Sequence, residues 1–312
     1  MASCPQRGSG PKTQLGPGGT LSEQQKRQFR QMRFSNKNGT SSKVDPKSYG
    51  YVSRGDDNIL QTSDTAQREY FDWILETFKQ VGRTESASTS NISSSSSVDS
   101  EQALASLRKL REAFLHQPPN EFSKKVHLFS VRVSSAVGHY QTYVPSIQYL
   151  LSDGCGLLTP TEQSEIASVM VLHVCHRNGH VAESLRIFNQ YLDPHKDARI
   201  LQTILAWASG DYHTWMSLYN SESDHSLFAV MTMGLPRIVE HMVACFDATY
   251  YTYGMSDLKK CLPKGVTWEE FRERYAVSWE VEDDTVHIRR RQPRVKSQPD
   301  ASPQPNANKG EV

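Results

Sequence analysis

No stretch of this chain is apolar for long enough to cross a bilayer, and Met1 is not followed by the basic-then-apolar pattern of a secretory leader. Both absences predict a soluble intracellular protein of the nucleus, the cytoplasm or both. Cysteine is sparse: Cys4, Cys155, Cys175, Cys245 and Cys261 are odd in number and include no C-x-x-C pair, so a disulfide framework is not expected and the thiols read as reduced. Charge of one sign is missing as well, since 35 Lys and Arg against 34 Asp and Glu leave a formal +1. The sequence has no Walker, Rossmann or nucleophile-elbow glycine pattern. Gly154-Cys155-Gly156 falls in a loop without the strand and helix that a phosphate cradle requires.

Apolar residues are in short supply too, at 37%, and they are unevenly spread. Residues 1–60 and 292–312 carry much Gly, Pro, Ser, Asn and Gln and few aliphatics, so they are expected to be disordered tails. Roughly 170–230 residues remain for a core, enough for one or two domains. Within the first tail, Leu21–Phe34 is a helix-prone patch that suits a linear motif folding on a partner. The charge is blocky: Lys26, Arg27, Arg30, Arg33 and Lys37 form one basic stretch, and Arg289, Arg290, Arg291, Arg294 and Lys296 another.

Helical spacing begins at Asp64–Val81, where Tyr70, Trp73, Ile74 and Phe78 recur behind Ser63 or Asp64 as a cap. This predicts an isolated helix over 61–85, followed by a Ser-rich linker over 86–100. From Glu101 the periodicity is continuous. Leu104, Leu107, Leu110 and Phe114 share a stripe that ends at Pro118-Pro119. Phe122–Val137 follows, with enough Val to read as helix or strand, then Tyr143–Leu151 and Thr161–Arg177, the latter opening on Thr159-Pro160.

Three short turns then share a plan: Gly138-His139-Tyr140, Gly179-His180-Val181 and Gly210-Asp211-Tyr212. Each glycine falls where a helix C-terminus calls for positive φ. Leu185 and Met216 lie six residues past their glycine, and Phe188 and Tyr219 nine past it; the last two glycines are 31 residues apart. That period is close to tetratricopeptide-type helix pairs, which bury their faces by stacking, so 101–234 is expected to be a helical-repeat, TPR-like solenoid.

After Gly234 the order changes. Helices are expected over Arg237–Tyr250, Ser256–Leu262 and from a capping box at Thr267-Trp268-Glu269-Glu270, followed by strands Val277–Glu282 and Thr285–Arg290 around Asp283-Asp284. Three helices and a hairpin are the order of a winged-helix module, here 235–291. The fold class is therefore mainly α, a solenoid ending in a winged-helix module, with disordered tails. Helical pairs followed by a winged helix resemble the PCI domain, and the run from Arg177-Asn178-Gly179 through Trp215 to Ile288-Arg289-Arg290 carries the likeness across Val126–Arg291. Among PCI proteins the chain resembles the GANP-type mRNA-export family and the small subunits of the signalosome, the proteasome lid and translation initiation factor 3. The resemblance implies a scaffold or adaptor subunit of a multi-protein complex, in mRNA export, translation initiation or proteasome and signalosome assembly.

The residues themselves assign no catalytic, cofactor-binding or metal role. His173, Cys175, His176 and His180 sit at ligand-like spacing, but Gly179 ends the helix before His180 and no carboxylate supports the set, so core and turn packing is the expectation. A Cys175–His213 pair has no oxyanion context, and Asp72, Glu76, Asp283 and Asp284 read as solvated charges. A protein-contact sheet is expected from Trp279, Val281, Val286 and Ile288, with other protein subunits as partners, no membrane and no small-molecule substrate. The alternative is a nucleic-acid adaptor, with weak RNA or DNA contact through Arg272, Arg274, Arg289, Arg290 and Arg291. Glu269, Glu270, Glu273 and the acidic hairpin tip oppose specific groove reading there.

Overall fold

A computed structural model describes residues 49–51, 58–87, 95–115 and 117–289. The patch Leu21–Phe34, the C-terminal tail, Arg290 and Arg291 lie outside these residues. The described part is mainly helical, with thirteen α-helices and one small C-terminal sheet. The first three helices are α1 (Ile59–Thr62), α2 (Asp64–Ala87) and α3 (Ser95–Phe114); α4 (Glu121–Ala136) follows.

The helix expected to stand alone does not. Tyr70, Phe71 and Ile74 of α2 are fully buried against Leu107, Leu110 and Phe114 of α3. Phe71 also meets Phe122 and Phe129 of α4 edge-on, with ring centroids 5.8 and 5.6 Å apart. An aromatic stripe this wide gains about 1.5–3 kcal/mol per side chain on burial, too much to leave in water. The same cluster corrects the boundary of the expected N-terminal tail. Tyr49 is buried, packs edge-on to Tyr70 at 5.2 Å, and its carbonyl accepts from Lys109 Nζ at 2.9 Å. The Ser-rich linker is shortened at both ends, because α2 runs on to Ala87 and α3 starts at Ser95.

The strand ambiguity of Phe122–Val137 resolves to helix. Asn120 accepts from the Ser123 amide at 2.8 Å while the Ser123 hydroxyl accepts from the Asn120 amide, a closed capping box that sets the α4 start. The chain continues through α5 (Tyr140–Leu151), α6 (Pro160–His176), α7 (Val181–Tyr191), α8 (Ala198–Ser209), α9 (Tyr212–Asn220), α10 (His225–Thr232) and α11 (Leu235–Thr249). Thr159 and Glu162 form a second box with Pro160 in the first helical position.

All three turn glycines are left-handed, with φ of +69° at Gly138, +71° at Gly179 and +71° at Gly210. The turns also share a neighbour. A Cβ on Gly138 would lie 3.5 Å from Met233 Cε, one on Gly179 3.4 Å from Arg237 Nη1, and one on Gly210 2.8 Å from His241 Nε2. Met233, Arg237 and His241 are spaced by four, one face of a helix, so α11 and the residues just ahead of it run past all three turns. Helix α10 lies on α4 and α6. Pairs that touch only their sequence neighbours would not make these long-range contacts.

No single helix among the described residues is long and apolar enough to cross a membrane; α10 and α11 pass such a test only jointly, across a 55° bend, and Val230, Met231, Val239 and Met242 bury their apolar faces in the core. After α11 come β1 (Thr252–Gly254), α12 (Met255–Lys260), α13 (Trp268–Arg274), β2 (Glu280–Glu282) and β3 (Thr285–His287). Thr267 and Glu270 close the expected capping box on α13. The hairpin forms around Asp283, at φ +53°, in register Val281 opposite Val286. A strand that periodicity did not reveal, β1, pairs with the other edge of β3, giving the antiparallel order β1-β3-β2. Three residues are too short to show alternation.

Candidate interaction surface of the C-terminal module

A concavity of about 850 Å³ opens in the C-terminal module between α12, the loop after it, α13 and β2. Its floor and walls are Met255, Leu262, Pro263, Val266, Trp268 and Val281; Lys259, Lys264 and Arg272 bring positive charge and Glu269 a negative one. Asn220, the last residue of α9, shapes the loop. Its Nδ2 donates to the Leu262 carbonyl at 2.9 Å and its Oδ1 accepts from the Lys264 amide at 2.7 Å. One side-chain amide thus ties the loop to the helical region, so the groove is held rather than left to fluctuate. Gly265, at φ +79°, turns the chain toward α13 with nothing within 4 Å of where its Cβ would be.

The expected protein-contact residues divide sharply. Trp279 is 2% exposed and Val286 fully buried, so neither is available to a partner. Trp279 stacks between Phe246 at 5.4 Å and Trp268 at 6.2 Å, and its Nε1 donates to Asp247 Oδ1 at 2.7 Å. Trp279 lies just ahead of β2, which spans only Glu280–Glu282 of the expected Val277–Glu282 strand, and an indole there has more to gain from the helices beneath it than from solvent. Ile288 packs half-buried on the same core. Val281 alone faces out, at 38% exposed, on a strand that pairs with β3 only and lines the groove.

Of the expected cationic residues, Arg272 lies in the groove with its guanidinium 6.0 Å from the centre of the Trp268 ring. Arg274 is exposed near the end of α13. Arg289 stands apart from the groove lining, 4.7 Å above Tyr251. Lys259, Lys264, Val266 and Trp268 were not singled out from sequence. The Leu262-Pro263-Lys264-Gly265 segment, a breaker pair beside a cation, was the available signal.

The histidine cluster is built into the core. His173 Nδ1 is 2.8 Å from Tyr143 Oη, and His176 Nε2 accepts from Trp215 Nε1 at 3.0 Å. Since Nε2 accepts, the His176 proton sits on Nδ1, on the side of the Leu172 carbonyl. Burial holds His176 down to about 3 and pushes the Cys175 thiol up to about 12. His180 and His213 are exposed while Cys175 is buried, so neither the four-residue set nor the Cys175–His213 pair comes together. Among the described residues no three His, Cys, Asp or Glu side chains are placed to hold a metal ion.

No protein-family model matches the chain, and no curated protein matches it.

Proposed function

We propose that the chain is a non-enzymatic scaffold or adaptor subunit, a PCI-like protein whose helical repeats lead into a winged-helix module. The observation that carries this reading is the groove beside β2. It sets an exposed Val281 and apolar walls next to three cations, on a loop pinned by Asn220. An apolar centre with a charged rim is the make-up of a protein contact. The three left-handed glycine turns and the helix–helix–helix–hairpin order support the PCI-like layout. Complexes of mRNA export, translation initiation, or proteasome and signalosome assembly are the settings that this layout suggests.

Native mass spectrometry of the tagged full chain from its own cells tests the reading. A stoichiometric protein complex is expected, and Val281→Arg should dissociate it without loss of helical circular dichroism. A partner-free monomer would contradict it. A second reading rests on Lys259, Lys264 and Arg272, three cations lining one groove, which suit a nucleic-acid backbone. It predicts a salt-dependent shift with single-stranded RNA that weakens in Lys264→Ala and Arg272→Ala; an unchanged salt slope would remove it.

A further inference from the structure

A second cavity, about 360 Å³, lies where α3, α4 and α5 meet, away from the C-terminal groove. Its walls include Arg111, His127, Tyr149 and Gln141, with Leu115 and Pro145 as apolar lining. Arg111 is only 7% exposed, yet no ion pair reaches it among the described residues, and it is not among those with further partners. Its Nη1 donates to the Thr142 carbonyl at 2.9 Å and to Ser146 Oγ at 2.8 Å. Those two bonds fix the guanidinium and leave Nε and Nη2 without an acceptor among the described residues; Nε is fully covered, and Nη2 is the one that keeps accessible surface.

His127 is in the same position. It is 2% exposed, stacked on Tyr149 at 4.0 Å, and neither ring nitrogen has a partner among the described residues. Burial and the Arg111 charge hold it down to about 3, so it is neutral, with one N–H to give and one lone pair to receive. Leaving a buried polar group unpaired costs about 1–3 kcal/mol, more for a charged one. A buried cation with no counter-ion among the described residues, set in a cavity wall, marks a place where a ligand supplies the opposite charge.

We propose that this cavity binds a carboxylate, held by Nη2 of Arg111, with the stacked His127 and Tyr149 rings as an uncharged wall. A guanidinium N–H gives a carboxylate oxygen a charge-assisted hydrogen bond, about twice as strong as a neutral one. The charges around the cavity also select it. Arg108 is paired with Glu112 at 3.0 Å, so the lining of two arginines and one glutamate carries a net +1, which suits a monoanion better than a phosphate dianion. The Tyr149 and His127 rings, with Leu115 and Pro145, favour a ligand whose carboxylate bears an apolar or aromatic group.

The test uses the full chain with ¹⁵N-labelled arginine and histidine, titrated at constant ionic strength with benzoate, N-acetyl-aspartate amide or inorganic phosphate. Saturable movement of the Arg111 Nε–H and His127 resonances by either carboxylate, with a Kd on the order of 1 mM or tighter, supports the site. A preference for benzoate makes the source a free small molecule, and a preference for the aspartate amide makes it the acidic side chain of a partner. Arg111→Met should abolish the His127 response, and Arg108→Gln, which leaves Arg111 in place but lowers the net charge of the lining, should weaken it without abolishing it. The proposal is overturned if neither carboxylate saturates, if phosphate acts equally well, or if the His127 response survives in Arg111→Met. Should Arg111→Met not fold, the wild-type comparison of carboxylate with phosphate decides alone.

Discussion

The hydrogen bond between Trp215 and His176 joins the first helix of one repeat turn to the second helix of the next, and its removal has a calculable effect. In Trp215→Phe the indole N–H is lost, and His176 Nε2, wholly buried, keeps no partner. Stranding that acceptor costs about 1–3 kcal/mol. The missing ring volume, in a site where Trp207 lies edge-on to His176 at 4.8 Å, adds about 1–2 kcal/mol. Urea unfolding followed by far-ultraviolet circular dichroism should show a loss of about 3 kcal/mol, a midpoint lower by about 1.5 M for a slope near 2 kcal/mol/M. His176→Leu removes the same bond from the other side, leaving the indole N–H unpaired. Once one partner is gone, removing the other should cost less, so the double variant should lose about 1–2 kcal/mol less than the sum of the singles. Additivity within about 0.5 kcal/mol would refute the reasoning, because it would mean that the bond couples nothing.

Two glycines with similar backbone angles should respond unequally to alanine. Gly265→Ala meets no neighbour and should cost about 1 kcal/mol of left-handed strain, whereas Gly210→Ala also presses on His241 at 2.8 Å and should cost roughly 1 kcal/mol more; equal midpoints would contradict the close approach of α11. Stability should fall in mild acid. Burial holds His127 and His176 down to about 3. The unfolded chain therefore takes up protons near pH 6.5 that the folded chain refuses, and stability is full above that pH. It drops as pH falls toward 3, by about 2 kcal/mol per histidine at pH 5. His127→Phe should roughly halve the difference between urea midpoints at pH 7 and pH 5, and an unaltered difference would contradict the buried neutral ring. Trp279→Ala should cost about 3–5 kcal/mol in thermal or urea unfolding. A loss below about 1 kcal/mol would mean that Trp279 is not the core residue that its burial indicates.

Much of the helical order was legible because its signals are local. Ser63, Thr159 and Thr267 announce helix starts, and Gly138, Gly179 and Gly210 announce helix ends, each through backbone chemistry confined to a few residues. What was not legible depends on distant partners. The packing of Phe71 on Phe129 joins positions some sixty residues apart, and the passage of α11 across three turns involves Met233, Arg237 and His241, which look unremarkable in sequence. Alternation on β2 and β3 placed hydrophobic residues on the small sheet but did not say which face was covered. Val281 shares a face with its cross-strand partner Val286, but it sits on the edge strand β2 and stays exposed, while Val286 on the central strand and Trp279 just ahead of β2 are covered. The pairing of Asn220 with the 262–264 backbone, which shapes the candidate groove, left no mark in periodicity at all.

The most direct test of a subunit that docks through its C-terminal groove is hydrogen exchange on the full chain, free and in the native complex recovered from its own cells. The account predicts that complex formation slows exchange over 262–272 and 280–282, where the groove and its edge strand lie. Unchanged exchange in both segments, with protection elsewhere or nowhere, would contradict it.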